Sequence, residues 1–488
     1  MKMLSILVSV LFLLVSSLGA VEDQVNLEEA VHHVENLVAY SPRLAGSGTV
    51  EDTIIGGVHS AGLYIAETLK KYGYDVHIEE FPFTTYQITE FILVIDFDGD
   101  FSTPDQLDLS EKAIPPTVRH ADITHDVTAP LVLVEESVNT AGIPVFEYWL
   151  YYDPEYSDIV GHFDITLVYK KDEPAFTGHF REAFSISYQD YIGIKEQKTD
   201  ETVVWVKFSS YSKEVTGYNV VGIKKGDTLT NKKVILSAHY DSVYTDGAID
   251  NGSGVAALLE TARILSGKQV GAAVYFIFFD AEEIGLLGSE AFVAAHDLLK
   301  CVCINVDSIA SGDTVYIGGV PRYEEMWAPH FFTDPYLDSY ISGIAESVLG
   351  YKPEQWVLED VGGYSDFVSF TEQGVPATDI TTMDKEATKI PAISEEKLSD
   401  HSLIWMKGGK TIYYQEDRFN KVIPYIHTYF DDLDHFDKEI FYDSTRVVVK
   451  AAYQLSIMSE EHIESAHVVF IGLVAVMVVV IWYVVKPS

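Results

Sequence analysis

Cysteine is almost missing from this chain: two in 488 residues, Cys301 and Cys303, which excludes a disulfide-stapled scaffold. Their one-residue spacing puts both on one face of a strand, where they read as buried thiols rather than a bridge or a metal pair. Positive charge is scarce too. With 33 Lys and Arg against 74 Asp and Glu, the formal net charge is −41, which argues against nucleic acid or an anionic membrane surface as a partner and implies a surface kept soluble by carboxylates. Between about Thr85 and Lys213 no long helical periodicity occurs.

Leu4 to Leu18 is nearly all apolar, follows Lys2 and precedes the small Gly19 and Ala20, the pattern of a secretory signal over residues 1–20. Val468 to Val485 runs 18 residues without a charge; at about 1.5 Å per residue it covers roughly 27 Å, enough for a transmembrane helix. Glu460, Glu461 and Glu464 precede this run and Lys486 follows it, so the positive-inside bias puts the folded part outside. The expectation is an exported protein in the cell membrane, held by a C-terminal anchor at 468–485.

The length predicts more than one folded unit. Asn26 to Tyr40 has apolar residues at helical spacing, with Asn26 and Glu29 as a capping box. A second helix runs through Ala61, Ile65 and Leu69 to Gly73, and Val76 and Ile78 alternate as a strand. Residues 21–84 therefore form an N-terminal helical part. FILVIDF, PLVLVEE, DITLVYK and TVVWVKF follow as short strands, which predicts an inserted β-rich domain over 85–213. From Asn219 the runs VVGI, VILSA, AVYFIFF and VCINV alternate with helices. Residues 214–460 thus read as an α/β core, a mostly parallel central sheet flanked by helices, whose sites collect at the carboxyl ends of its strands.

The acidic and imidazole clusters sit just past those apolar runs. His239 and Asp241 end VILSA, so both project to one side and the Asp can hold the imidazole. Asp250 opens DNGSG, where glycines allow close backbone approach and a carboxylate could bridge two cations; the bland alternative is an N-cap. Glu282 and Glu283 follow AVYFIFF, Asp307 follows VCINV, and His427 lies in PYIHTYFDDLDH. Neutral imidazole and carboxylates together are the donor set of a hydrolytic zinc site.

SAHYDS, DNGSGVAALLE, FFDAEEIGLLGS, INVDSI and IHTYFDDLDH, in this order and with SPRLAGSG ahead of them, resemble the M28 family of zinc metallopeptidases. The resemblance covers about residues 26–84 and 214–456. It implies a zinc-exopeptidase fold and two Zn²⁺, one held by His239 and Glu283, the other by Asp307 and His427, with Asp250 bridging them. It makes Glu282 the general base and Asp241 the partner behind His239. The family's SDH motif has two candidates: Ser365-Asp366-Phe367, with the better GVPA continuation, and Ser399-Asp400-His401, which carries the histidine and has the usual distance to His427. His401 is the favoured residue, on the substrate side or just behind the metal ligands, although the earlier copy would serve if 384–423 were an insertion. The β-rich segment resembles a protease-associated domain, expected to act as a lid, a size filter or a passive module.

The resulting expectation is a membrane-anchored peptidase acting on peptide substrates, an aminopeptidase before a carboxypeptidase. Amino-end trimming needs an acidic pocket, whereas carboxyl-end trimming needs a basic clamp, for which Arg322 and Arg418 are conceivable. A glutaminyl-cyclase-like acyltransferase with one zinc and a non-catalytic binding protein of the same fold are the alternatives. His with carboxylates also accepts cobalt or manganese.

Overall fold

The computed structural model describes residues 20–458 apart from 49–55, 117–121, 135–141, 153–163, 178–182, 228–231, 324–327, 362–363, 398–402, 408–409 and 415–418. The signal and anchor segments, His401 and Arg418 lie outside the described residues. Among the described residues no helix is long and apolar enough to cross a membrane.

Four parallel strands form the centre: Ala377–Met383, Cys301–Val306, Lys233–His239 and Ala273–Phe279, in that spatial order. They are buried on both faces, which is why AVYFIFF reads as a continuous apolar run rather than an alternating one. Phe276, Phe278 and Phe279 are fully buried, each contributing about 2 kcal/mol by loss of water contact. Cys301 and Cys303 are buried and unbridged. Helix Gly254–Ser266 packs against both Leu27–Val38 and Lys438–Ile457, and buries nearly its whole surface. Thr314–Val320 and Glu354–Val357 extend the far edge.

Asn26 caps the first helix through its side chain, which accepts from the amides of Glu28 and Glu29. The reciprocal half of the expected capping box is replaced. The Asn26 amide donates to Glu260 Oε1 at 2.6 Å, tying the helix to its neighbour instead of to its own Glu29.

Two strands of 22 residues, Asp75–Asp96 and Val203–Lys224, pair antiparallel along their whole length. Positions 84/85 and 213/214 fall inside them, so the β-rich region leaves the core as a continuous ribbon rather than through linkers. VVGI is the base of this ribbon and joins AVYFIFF antiparallel, because with no helix between VVGI and Lys233–His239 those two run in opposite directions, and Lys233–His239 is parallel to AVYFIFF. Ile123–Leu133, Ile143–Glu147, Thr166–Tyr169 and Ala183–Ser185 continue the sheet outward, over a separate apolar cluster centred on Phe91, Phe184 and Phe208. This region also holds a helix, Tyr188–Gln197, that the sequence pattern did not predict. Only Tyr191 and Ile194 of it are buried.

The helical lead-in carries a test of the packing. His33 is buried, with its ring nitrogens 2.6 Å and 3.2 Å from the hydroxyls of Tyr64 and Tyr72. Burial, reinforced by the positive groups His32, Arg263 and Lys71, pushes its pKa down to about 4. The unfolded chain takes up this proton near pH 6.5 and the folded chain only near 4, so the stability tied to neutral His33 is full above 6.5 and is lost as pH falls towards 4. Urea unfolding should show this residue contributing at most about 3 kcal/mol to the loss. His33→Gln is expected to flatten that part of the profile, and an unchanged slope would contradict the assignment.

Candidate active site

His239 ends its strand and Asp307 follows the end of the adjacent one, so the parallel register delivers both to the same sheet edge. His239 is 1% exposed, with Nε2 3.1 Å from Asp250 Oδ1 and 3.5 Å from Asp307 Oδ1. His427 reaches the other oxygen of the same carboxylate: its Nε2 lies 3.2 Å from Asp250 Oδ2 and 3.2 Å from Glu283 Oε2. Asp250 thus stands between two donor groups, His239–Asp250–Asp307 and Asp250–Glu283–His427, each with its ligand atoms within 4.8 Å of one another.

This grouping corrects the pairing implied by resemblance, in which His239 went with Glu283 and Asp307 with His427. The His239 ring is fixed from behind by the Asp241 carbonyl, 3.2 Å from Nδ1, and so turned, its Nε2 faces Asp307. The Asp241 carboxylate is 3.5 Å from Nδ1. Its oxygens accept instead from the amides of Glu282 and Glu283, at 3.1 Å and 3.2 Å. Asp241 therefore orients the two glutamates as well as standing behind the histidine.

DNGSG is built to hold Asp250 rather than to cap a helix with it. Asp250 has extended backbone angles, φ −110° and ψ 97°. Asn251 Nδ2 donates to the Val306 carbonyl at 2.8 Å, and its Oδ1 accepts from the amides of Gly254 and Ser308. Ser253 Oγ accepts from the Ile309 amide and donates to the Ile249 carbonyl. The turn is thereby stitched to the segment that carries Asp307. Gly254 is required here, since a Cβ would fall 2.3 Å from Asn251 Oδ1 and 2.4 Å from the Val306 carbonyl.

Further site residues carried no separable sequence signal. Asp431, fully buried in the FDDLD stretch, accepts from the Ile249 amide at 2.6 Å. Arg43, within SPRLAGSG, is also fully buried and donates to the carbonyls of Tyr240, Asp246 and Gly247 at 2.6, 2.7 and 2.9 Å. It brackets the loop between His239 and Asp250. Beneath the site, Asn305 accepts from Ser237 and donates to Ser365 and Asp379. Ser365-Asp366 thus belongs to the site, and GVPA leads into the central strand Ala377–Met383.

Burial raises the Glu282 carboxyl well above its usual range; His239 opposes this, while Glu283, Asp366 and Asp307 reinforce it. Burial likewise lifts Asp366 to about 7. Burial alone would lower His239 and His427, but Asp307 and Glu282 beside the first, and Glu283 and Asp250 beside the second, outweigh it and hold both well above their ordinary value. The cluster is therefore an excess of buried negative charge. Glu283 Oε1 is buried with no hydrogen-bond partner. Imidazole and carboxylate donors with an unused inward oxygen fit divalent cations of the zinc type.

A cavity of about 100 Å³ opens on the cluster, lined by Asp250, Glu282, Glu283 and Asp307 and by the apolar Trp356, Met383, Ile423 and Ile426. No Lys or Arg lines it among the described residues. Arg322 lies elsewhere, paired with Asp360.

The model of peptidase family M28 matches residues 219–452. Aminopeptidase YwaD of Bacillus subtilis is 26% identical over 276 residues, covering 54% of this chain and 50% of that protein. A probable glutamate carboxypeptidase of Arabidopsis thaliana, LAMP1, is 32% identical over 175 residues, covering 33% of this chain and 25% of that protein. The chain thus spans half or less of the length of these relatives. The solved structure of BSAP, a zinc aminopeptidase from Bacillus subtilis, shares the fold at a TM-score of 0.57 and 20% identity, over 89% of this chain and 96% of that one.

The loop bracket yields a prediction. Arg43→Met takes a donor from three carbonyls, of which Asp246 keeps the Ser41 hydroxyl and Gly247 the Gly252 amide, and is expected to cost about 1–3 kcal/mol of stability. The variant should also bind divalent cations more weakly in calorimetric titration. Wild-type stability and affinity together would contradict the role given to Arg43.

Proposed function

From the match of residues 219–452 to the model of peptidase family M28, we propose that the protein is a dinuclear zinc aminopeptidase of that family acting on peptides. The observation that carries this reading is the division of five side chains into two donor groups sharing Asp250. His239 and Asp307 would hold one cation, Glu283 and His427 the other. When bound, the ions supply Lewis-acid polarisation of the scissile carbonyl and make the attacking water more acidic.

The chain's own residues then perform the proton work. Glu282 lines the cavity beside the cluster, with a carboxyl whose affinity for a proton is raised by burial. It accepts a proton from the attacking water and returns it to the leaving amine nitrogen, with no covalent enzyme intermediate. Asp241 keeps the Glu282 backbone in place. The carboxylates lining the cavity suit a free α-ammonium, and its apolar residues an aliphatic or aromatic first side chain. A carboxyl-end reading would need a cation facing the cluster, and Arg322 is engaged with Asp360.

The localisation proposed is the outer face of the cell membrane, with Val468 to Val485 as the anchor. Helix Lys438–Ile457 supports an outward-facing site. Its Ser456 carbonyl accepts from the amides of Gly271 and Ala272, so the described chain ends at the sheet edge opposite His239.

Elemental analysis of the full chain in detergent should give two zinc per molecule, and chelation should abolish hydrolysis of leucine amide. Glu282→Gln is expected to keep both metals while kcat falls by roughly 10²–10⁴. Full activity in that variant, or activity that survives removal of metal, would rule the mechanism out.

A further inference from the structure

The sheet edge where the parallel strands begin lies opposite His239 and carries a charge unlike the rest of the chain. Lys224 ends the ribbon there, beside Val274, and Lys233 stands beside Ala273 and Cys301 at the start of three parallel strands. Three loops at this edge, 224–233, 267–272 and 296–300, hold Lys224, Lys225, Lys232, Lys233, Lys268 and Lys300 against Asp227 and Asp297. Asp75, at the start of the ribbon, adds one carboxylate, 3.8 Å from Lys225. Lysines thus outnumber acids on these segments, in a chain with 74 Asp and Glu to 33 Lys and Arg. Two of the lysines are held by neutral groups: Lys233 Nζ donates to the Asp297 carbonyl at 2.7 Å and Lys224 Nζ to the Ser266 carbonyl at 3.1 Å. Their charge is positioned without being cancelled.

Apolar surface accompanies the lysines. Leu299, next to Lys300, is 73% exposed, the most exposed large apolar side chain among the described residues. A cavity of about 610 Å³ is lined by Lys232, Lys233 and Lys300 together with the apolar Val293, Leu298 and Leu455. A protruding leucine among lysines suits a lipid surface, whose headgroups take the charge and whose acyl region takes the side chain. Leu455 belongs to helix Lys438–Ile457, whose Ser456 carbonyl is bonded to the amides of Gly271 and Ala272, so the last described helix ends at this edge. From Met458 to Val468 is ten positions, a reach of at most about 35 Å.

We propose that this basic edge docks on an anionic lipid surface, with its lysines against the headgroups and Leu299 below them. The inference rests on the membrane localisation proposed above, and adds to it the lipid charge that the protein meets and the side it presents. The total charge of −41 is a property of the whole chain and not of this edge. At physiological salt a surface senses charges within about 8 Å, and those at this edge are mainly lysines. Strand Lys233–His239 leads from the edge to the metal-binding side chains, a rise of roughly 20 Å, so docking holds the site off the membrane and open to peptides in solution.

The test places the full chain in vesicles of phosphatidylcholine, alone or with about one third phosphatidylglycerol. Leu299→Cys carries a polarity-sensitive dye; Cys301 and Cys303 are buried. In the anionic vesicles the dye's emission should move to the blue and its quenching by acrylamide fall about threefold. Both changes should disappear in about 0.5 M salt and in the combined variant Lys225→Gln, Lys232→Gln, Lys300→Gln. The same accessibility in both vesicles overturns the proposal, whether the dye is open in both or is shielded in both by Glu460, Glu461 and Glu464 lying on the lysines. Shielding that survives the lysine variant overturns it too. Flotation separates docking from the anchor. A chain that floats with neither vesicle overturns both, whereas one that floats with the anionic vesicles alone overturns the anchor and leaves the docking standing.

Discussion

One carboxylate, Asp250, offers its two oxygens to two imidazoles that enter from different parts of the chain, His239 at 3.1 Å and His427 at 3.2 Å. The rest of the site depends on that sharing. Asp307 and Glu283 join from either side, and the buried negative charge of the group is tolerable in a folded protein only with compensating cations or protons. Much of the surrounding polar structure holds Asp250 in place. Asp431 fixes the amide before it, Asn251 and Ser253 stitch its turn to the Asp307 segment, and Arg43 grips the loop leading into it. These bonds run between residues as much as 204 positions apart, so the site is a product of the complete fold.

The fold reaches this arrangement through strand order. His239 sits on the middle of three adjacent parallel strands, with the Asp307 strand on one side and the strand before Glu283 on the other. Parallel register brings all three ends to one edge, as expected where helices cover both faces of a sheet. His427 comes from outside the sheet, and its support is different in kind: the ribbon Asp75–Asp96 and Val203–Lys224 carries out the β-rich region from which Thr177 reaches back to it. The two halves of the site thus have different structural owners.

The apolar runs made the parallel core legible in sequence, and the acidic and imidazole residues just past them located the site. What sequence did not contain was direction. His239 stands between two acid-bearing strands, and which of them its ring faces is decided by the Asp241 carbonyl behind it, a contact that spacing does not encode. The choice between the two Ser-Asp copies was equally closed, because both have plausible neighbours; Asn305, bonded to Ser365 at 2.9 Å, places the earlier copy at the site. The helix Tyr188–Gln197 escaped notice because an apolar stripe barely exists when only two of its residues are buried. Arg43 and Asp431 were invisible for a related reason: nothing in a sequence marks a charged residue as fully buried when its partners are backbone groups.

The most direct measurement is anomalous diffraction at the zinc edge from crystals of the zinc-loaded protein. Two peaks should appear on either side of Asp250, one against His239 and Asp307 and the other against Glu283 and His427. A single peak, or a peak held by His239 together with Glu283, would contradict the arrangement on which this account rests.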